Sequence, residues 1–497
     1  MRPRPFRDPS IARTAAYAGA LGLSLLFAPN AASAEAADTS QSAPLPERIE
    51  AMVSEAKLPK ELSLSIVDLE SGRDLLSINA QTPRNPASNL KLLTSAAALL
   101  TLGPEFRMQT GLYGQVRQER AEDLCLKGHG DPTLARAQLV EFAQRLRDRG
   151  VREVTQLTVD GSYFDAELLP PAFEQQPKET APFRAAVAAV SVNANAYTLR
   201  VGPGVGLGAP ARVTVDGSGY FKVDNRVTTT NAPVPSVSIE ERDLGDSVAL
   251  ILTGTVPLTG ATLGLPRRVA SPLHYSGHVL LDVLAVAGIK PPERVAIGSC
   301  RPEAALLARL ESEPLASMID RLGKNSDNFV AEMLVKVMAA EHTHKPGSTA
   351  EGISVLQDAL RRLHVPLAKD VHMINGSGLF RGNLITTELV SQVLRAMYRD
   401  PSLHPEYIAH LAVGGADGTL ARRFTHLAVP RTVRAKTGTL NDVIALSGYV
   451  MGPKPGVAYA FSFLANNVRG KQGPARALID KVVEALAHDL HAPAQER

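Results

Sequence analysis

Three short motifs in this 497-residue chain contain the residue types that nucleophilic acyl transfer requires. In chain order they are Ser88-Asn89-Leu90-Lys91, Ser326-Asp327-Asn328 and Lys436-Thr437-Gly438-Thr439. A serine hydroxyl becomes a good nucleophile only when a neighbouring base removes its proton. Because residues three positions apart lie on the same face of a helix, Lys91 can reach Ser88 and is the candidate base.

The first motif carries little information by itself. About one or two Ser-x-x-Lys matches are expected by chance in a chain of this length, and Ser54-Glu55-Ala56-Lys57 is a second copy. By contrast, Ser-Asp-Asn and Lys-Thr-Gly are each expected only about 0.1 times per chain. The occurrence of all three motifs in order, each in a suitable predicted local structure, argues against an accidental match.

The predicted helices distinguish the two Ser-x-x-Lys copies. Ser88 opens a segment that is apolar on nearly every side as far as Leu102, a pattern typical of a buried central helix. Lys91 therefore has little polar surface around it, and burial together with a nearby like charge, which Lys436 supplies, disfavours its ammonium form. The copy at Ser54 lies in an amphipathic surface helix before the first predicted strand. An ordinary surface lysine remains the alternative for Lys91.

The second motif offers a proton relay and an amide. Ser326 can pass a proton from Lys91 toward a leaving amine, and Asn328 can hold either a substrate carbonyl or Lys91 itself. Ser, Asp and Asn are also good helix N-caps, which is the alternative for this motif and the main role expected of Asp327.

The third motif is predicted to lie on an edge strand, which can pair with an extended peptide. Lys436 and the hydroxyls of Thr437 and Thr439 are expected to face a carboxylate, with Gly438 between them. The backbone N–H groups of Ser88 and Thr439 are the candidate oxyanion-hole donors.

The first 34 residues have the features of a signal peptide. Arg2, Arg4, Arg7 and Arg13 precede an apolar run, and Ala32-Ser33-Ala34 fits a signal-peptidase site, so cleavage is expected after about Ala34. The run is shorter than the roughly 18 apolar residues of a membrane-spanning helix, which makes a membrane anchor the weaker alternative. The leader carries the whole net charge of +3, so the mature chain gives no sign of nucleic-acid binding.

In the rest of the chain the predicted secondary structure changes at about residue 109 and again at about residue 301. Residues 35–108 and 301–497 are predicted as the two parts of one catalytic domain, because both contain helical patterns, and the second also has three strands before a final helix. Residues 109–300 are rich in short Val- and Thr-containing strands and turns, which predicts an inserted, mostly β domain whose clearest helix is Gly277–Gly288. Cys125 and Cys300 are as compatible with a disulfide as with two free thiols.

Taken together, the three motifs resemble those of the class C low-molecular-mass penicillin-binding proteins, the D-alanyl-D-alanine carboxypeptidase/endopeptidase family. Ser88 and Ser326 lie 238 positions apart, whereas class A β-lactamases place the second motif far closer to the first. The stretches Asn375–Leu379 and Gly414–Leu420 also resemble the family and are interpreted as rims of the cleft. Asn375 stands where the family usually has Asp.

The resemblance implies an α+β fold of the penicillin-binding/serine β-lactamase-like transpeptidase type, an antiparallel sheet flanked by helices, with a large mostly β insert. It implies a periplasmic DD-peptidase that uses a Ser88 acyl-enzyme to remove terminal D-Ala or to cut D-Ala cross-links in peptidoglycan. No metal and no organic cofactor are expected. The expected partners are peptidoglycan peptides, with β-lactams as inhibitors and at most peripheral membrane contact, and a homodimer is left open.

Two other functions fit parts of the pattern. A serine β-lactamase shares the acylation step but needs a dedicated deacylating base; Glu332, Glu341 and Glu351 follow the second motif without a recognisable motif around them. A weakly active peptidoglycan-binding scaffold is the third hypothesis, since a fold alone does not fix activity.

Overall fold

The computed structural model describes residues 43–58, 60–215 and 219–492. The predicted signal peptide, residues 1–34, therefore lies outside the described residues. No helix in the described part of the chain combines the length and the apolar character that crossing a membrane requires.

Helices surround the catalytic motifs, whereas strands dominate the middle of the chain. In chain order the α-helices of the described residues are α1 (Leu45–Glu55), α2 (Leu90–Leu102), α3 (Arg136–Asp148), α4 (Pro272–Val286), α5 (Leu315–Lys324), α6 (Asn328–Thr343), α7 (Thr349–Arg362), α8 (Thr387–Arg399), α9 (His404–Ala409) and α10 (Gln472–His491). The strands are β1 (Leu62–Asp68), β2 (Asp74–Ile78), β3 (Gln109–Arg117), β4 (Arg120–Gly128), β5 (Glu153–Val154), β6 (Leu157–Asp160), β7 (Ala196–Gly202), β8 (Arg212–Val215), β9 (Phe221–Thr230), β10 (Ser236–Asp243), β11 (Val248–Pro257), β12 (Leu263–Arg268), β13 (Val295–Ile297), β14 (Ala305–Glu311), β15 (Ala412–Val413), β16 (Val433–Leu440), β17 (Val443–Met451) and β18 (Ala458–Asn466).

An antiparallel sheet joins the two parts of the predicted catalytic domain. Its strand order is β15-β16-β17-β18-β1-β2, and β1 pairs with β18 from Leu62↔Ala465 to Asp68↔Tyr459. One face packs against α1 and α10, and the other packs against α8 and the helices around α2. The predicted antiparallel sheet flanked by helices is confirmed.

Helix α2 is the centre of the larger core. Its Leu- and Ala-rich sequence favours helix, and ten of its thirteen residues are buried against α5, α6, α7 and α8. Each fully buried Leu contributes roughly 2 kcal/mol of hydrophobic stabilisation. Gly103, with φ +82°, ends the helix by donating its N–H to the Leu99 carbonyl oxygen. Because the burial begins at Leu90 and Lys91, the first turn of α2 lies inside the molecule.

The middle of the chain forms three further sheets with their own apolar core. Two have three strands, in the orders β10-β11-β9 and β12-β7-β8, and the third has the order β13-β6-β4-β3-β14 with β5 beside β4. Strand β14 pairs with β3 although it lies beyond residue 300, the expected end of the insert. The sheet interaction therefore continues past that expected boundary.

The helices and the cysteines of this middle region add to what the sequence predicted. The helix predicted at Gly277–Gly288 begins earlier, at Pro272, and a second helix, α3, was not predicted. Cys125 and Cys300, whose pairing was left open, form a disulfide that ties β4 to the segment after β13.

Candidate active site

Ser88 lies in a 3₁₀ turn, Ala87–Asn89, that runs directly into α2. Two glycines let neighbouring segments approach this turn closely. A Cβ at Gly378, where φ is +74°, would lie 1.9 Å from a carbonyl oxygen of the turn, and a Cβ at Gly438 would lie 2.9 Å from the Pro86 carbonyl oxygen. The turn is therefore held between the loop at Gly378 and strand β16, and a larger residue at either position would displace it.

Lys91 lies one helical turn after Ser88 and is fully buried. Its Nζ has three hydrogen-bond partners at good distances. Nζ lies 3.1 Å from Ser88 Oγ, 2.7 Å from Asn328 Oδ1 and 2.6 Å from the Ser377 carbonyl oxygen. The predicted proximity of Lys91 to Ser88 and Asn328 is thus present, whereas the contribution of Ser377 was not predicted.

Burial is the main reason why the amine of Lys91 is poised for proton transfer. An ammonium group loses its hydration when it is buried, and this effect lowers the pKa of Lys91 to about 7, although the charges of Glu332 and Asp327 raise it. The expected effect of burial is thus the largest cause of the lowered pKa, whereas the like charge of Lys436, which was also expected to contribute, is not among its causes. Burial, together with Lys91, also lowers the pKa of Lys436. A substantial share of Lys91 is therefore neutral near pH 7.

The second motif forms the start of α6. Asp327 caps this helix, because its side chain accepts the N–H groups of Phe329 and Val330, as expected from its residue type. Asn328 is the first residue of the helix and donates its Nδ2 to the Phe183 carbonyl oxygen at 3.0 Å. This bond orients the amide so that Oδ1 faces Lys91.

Ser326 and Lys436 connect the second motif to the third. Ser326 has a positive φ of 60°, which turns its side chain away from the path of the helix. Lys436 is fully buried, and its Nζ lies 2.8 Å from Ser326 Oγ and 2.8 Å from the Thr437 carbonyl oxygen. Lys436 therefore lies beneath the strand and does not project into the open cleft.

Strand β16 is open along the half that carries the third motif. The short strand β15 pairs with it only at Ala435 and Arg434, so that among the described residues this side of β16 has no strand partner from Lys436 onward. The Thr437 hydroxyl donates to the Thr419 hydroxyl at 2.8 Å. The predicted edge strand therefore has a neighbouring strand on this side only at Arg434 and Ala435, and it is open from Lys436 onward.

The motifs meet in a cleft of about 710 Å³. Ser88, Ser326, Asn328 and Thr439 line it, and so do Gly378 and Leu379 from one of the two stretches interpreted as rims. Thr419, from the other stretch, borders the cleft through its bond to Thr437. Gln175 and Phe183 line the wall that the middle region supplies. Sequence analysis missed this wall, because its polar contact with Asn328 comes from a backbone carbonyl that any residue type provides.

The rival candidates lie outside this cleft. Ser54 and Lys57 are both exposed, and Lys57 follows the end of α1 with a positive φ of 54°. Glu341 is bonded to the Tyr163 hydroxyl, and Glu351 to Ser348 at the start of α7. Glu332 is buried behind the cleft. None of these carboxylates lines the cleft beside Ser88, where a deacylating base would have to activate water.

The fold and the three-motif cleft define a serine hydrolase of the penicillin-binding type, and comparisons with known proteins agree. The model of the D-Ala-D-Ala carboxypeptidase 3 (S13) family matches residues 42–488. A D-alanyl-D-alanine carboxypeptidase of Actinomadura sp. (strain R39) is 33% identical over 466 residues, covering 89% of this chain and 84% of that protein. The crystal structure of penicillin-binding protein 4 from Haemophilus influenzae has a TM-score of 0.76 at 22% identity, covering 90% of this chain and 99% of that chain.

The chain belongs to the D-Ala-D-Ala carboxypeptidase 3 (S13) family. It is a serine-type DD-peptidase with the penicillin-binding fold. The family, the fold class and the enzyme class that the three motifs predicted are therefore confirmed.

Proposed function

We propose that Ser88 is the nucleophile and Lys91 the general base of a DD-peptidase reaction on peptidoglycan stem peptides. The observation that carries this assignment is the environment of Lys91. Its fully buried Nζ lies 3.1 Å from Ser88 Oγ, and burial lowers its pKa to about 7. A base whose pKa lies near the working pH removes a proton most efficiently.

The partners of Lys91 direct its lone pair toward Ser88. A neutral amine has two N–H bonds and one lone pair. The Asn328 amide oxygen and the Ser377 carbonyl oxygen can only accept, so they take the two N–H bonds and leave the lone pair for the hydrogen of the Ser88 hydroxyl. Ser88 Oγ then attacks the D-Ala carbonyl carbon while its proton moves to Lys91. The backbone N–H groups of Ser88 and Thr439 stabilise the resulting oxyanion.

Ser326 completes the proton path. When the tetrahedral intermediate collapses, the C–N bond to the leaving D-Ala breaks, and the amine takes a proton from Lys91 through the Ser326 hydroxyl. Ser326 Oγ accepts a hydrogen bond from Lys436 Nζ, which leaves its own hydroxyl hydrogen available for the amine. Water then hydrolyses the Ser88 ester, releases the shortened peptide and restores the serine.

The open half of β16 is the proposed binding strand. A peptide that extends along Lys436–Leu440 forms main-chain hydrogen bonds with this unpaired side. The hydroxyls of Thr437 and Thr439 are proposed to contact the terminal carboxylate, and Lys436 supports this part of the strand from beneath through its bonds to Ser326 and the Thr437 carbonyl oxygen. The small residue Gly438 lets the strand lie directly against the turn that carries Ser88.

The remaining assignments follow from the proposed reaction. The substrate class places the protein in the periplasm, with residues 1–34 as a cleaved signal peptide and at most peripheral membrane contact. Residues 35–108 and 301–497 are proposed as the catalytic domain around an insert at 109–300, with β14 pairing back onto β3 of the insert. β-Lactams are proposed to acylate Ser88, and penicillin-binding protein 4 of Haemophilus influenzae has been crystallised with a β-lactam.

Release of D-Ala from a pentapeptide tests the proposed function. The wild-type protein is expected to release D-Ala, Ser88→Ala is expected to release none, and Ser54→Ala, from the exposed motif copy, is expected to match the wild type. Equal activity of Ser88→Ala and the wild type would remove Ser88 as nucleophile. A cross-linked dimer as a second substrate then separates endopeptidase from carboxypeptidase activity.

A labelled penicillin separates this function from the two rivals. The DD-peptidase is expected to keep a long-lived adduct, because Glu332, Glu341 and Glu351 do not line the cleft, and the one carboxylate among its described lining residues, Asp442, is paired with Arg381. Rapid release of the label would indicate a β-lactamase instead. A folded protein that forms no adduct and releases no D-Ala would indicate a scaffold.

A further inference from the structure

Glu332 is a buried carboxylate that the reaction described above does not use. It lies on α6, four residues after Asn328, with 1% of its surface exposed. Its two oxygens accept different backbone N–H groups: Oε2 lies 3.0 Å from the Gly376 nitrogen and Oε1 lies 2.8 Å from the Ser377 nitrogen. Glu332 therefore fixes two consecutive peptide units of a loop.

That loop supplies one of the two acceptors that orient Lys91. The Ser377 carbonyl oxygen lies 2.6 Å from Lys91 Nζ. The next loop residue, Gly378, packs against the turn that carries Ser88, so a shift of the loop would move both the acceptor and the nucleophile. A displacement of about 1 Å at a reacting group can reduce a rate about a hundredfold.

The other acceptor has an equivalent support. Asn328 Oδ1 faces Lys91 because the opposite end of the amide donates to the Phe183 carbonyl oxygen. Each acceptor of Lys91 thus has its own support, and the bonds that hold the Ser377 loop include those to an ionisable side chain, Glu332. The peptide unit that contains the Ser377 carbonyl has its N–H at Gly378, which donates to Asn375 Oδ1, and Glu332 holds the two peptide units directly before it.

We propose that Glu332 is a positioning residue for the general base, because it fixes the backbone whose carbonyl oxygen holds Lys91. This inference rests on the proposed role of Lys91. Glu332 contacts neither the cleft nor Ser88, and it acts on the reaction only through the Ser377 carbonyl and through its charge.

The charged groups around Lys91 determine how the loss of Glu332 changes the pH dependence. Asp327, the N-cap of α6, and Glu332, in its second turn, raise the pKa of Lys91, whereas the charge of Lys91 lowers the pKa of Lys436 on β16. Removing the Glu332 charge therefore lowers the pKa of Lys91, so that the acylation rate reaches its plateau at a lower pH. Loosening the Ser377 carbonyl lowers the plateau itself.

The test is the second-order rate constant of acylation by a fluorescent penicillin, measured against pH. Glu332→Gln is compared with the wild type and with Glu341→Gln, a matched control on the same helix whose carboxylate bonds to Tyr163. The expected result for Glu332→Gln is a plateau lower by about a hundredfold, with the midpoint shifted to lower pH. The control is expected to keep both wild-type values.

Two results overturn the inference. A Glu332→Gln protein with the wild-type plateau shows that the loop needs no such support, and one with a reduced plateau but an unchanged midpoint shows that the carboxylate does not act on Lys91 through its charge. If Glu332→Gln fails to fold, Glu332→Asp, which keeps the charge but is too short to reach both N–H groups, is expected to lower the plateau only. Labelling of Ser88→Ala would instead contradict the proposed function itself.

Discussion

The two flanks of the chain and the region between them contribute different kinds of groups to the cleft. The flanks supply the side chains proposed to react, which are Ser88, Lys91, Ser326 and Asn328. The middle region supplies a wall and, at Phe183, a backbone carbonyl that orients Asn328. This difference indicates that the chemistry depends on the residue types of the flanks, whereas the middle region acts mainly through its folded shape.

The largest effect is expected from the base in the flanks. Lys91→Ala is predicted to slow acylation by roughly 10²- to 10⁴-fold, the usual contribution of general acid–base catalysis. Lys57→Ala, from the exposed motif copy, is the matched control and is expected to leave the rate unchanged. The rate of labelling by a fluorescent penicillin measures both variants, and equal rates for both would contradict the role of Lys91.

A smaller effect is expected from the residue at which the two regions meet. Asn328→Ala removes one of the two acceptors that orient Lys91, and we predict acylation about a hundredfold slower. Its burial suggests a cost in stability as well, so thermal unfolding is measured alongside the labelling rate. A folded Asn328→Ala protein that reacts at the wild-type rate would show that the link from Phe183 to Lys91 has no catalytic importance.

Removing the disulfide tests whether the middle region acts through its folded shape or takes part in the chemistry directly. Replacing Cys125 and Cys300 together by Ala is predicted to lower the free energy of unfolding by about 2–5 kcal/mol. Neither cysteine lines the cleft, so the rate of acylation per folded molecule is expected to stay near that of the wild type. Denaturant unfolding and active-site titration provide the two measurements. A large loss of rate in the folded variant would mean that the middle region controls the chemistry directly.

The smallest effect is expected from side chains of the middle region. Phe183→Ala keeps the backbone carbonyl that Asn328 uses, and the Phe183 side chain is 44% exposed. We predict a KM for the pentapeptide that rises about two- to fivefold with kcat unchanged, because the side chain contributes binding equally in the ground and transition states. A fall in kcat of the size expected for Asn328→Ala would contradict the proposed division.

How far the sequence predicts this cleft depends on the range of the contacts involved. Lys91 beside Ser88 is a local consequence of helix geometry, and the apolar sequence of α2 predicts its burial. Ser377 and Phe183 act through carbonyl oxygens, which every residue type has, and long-range packing alone brings these groups to Lys91. The sequence therefore predicts the reacting side chains but not the backbone groups that orient them.

The same reasoning applies to the fold. The central helix was predicted nearly at its observed bounds because its apolar pattern is long and regular, and the three strands and the final helix of the second flank are present. Helix α3 was missed inside a strand-rich region, although its buried residues Leu139, Phe142, Ala143 and Leu146 follow helical spacing. The disulfide could not be predicted, because Cys125 and Cys300 are 175 positions apart and only the folded sheet brings them together.

The most direct test of the central claim is the rate of penicillin adduct formation on Ser88, followed by peptide mapping between about pH 5 and 9. Only neutral Lys91 can accept the serine proton, and the neutral fraction grows as the pH rises through the pKa. The account predicts a single adduct on Ser88 whose rate of formation rises with pH to a plateau, with a midpoint near the lowered pKa of about 7. An adduct on another residue, or a rate on Ser88 that does not change over this range, would contradict it.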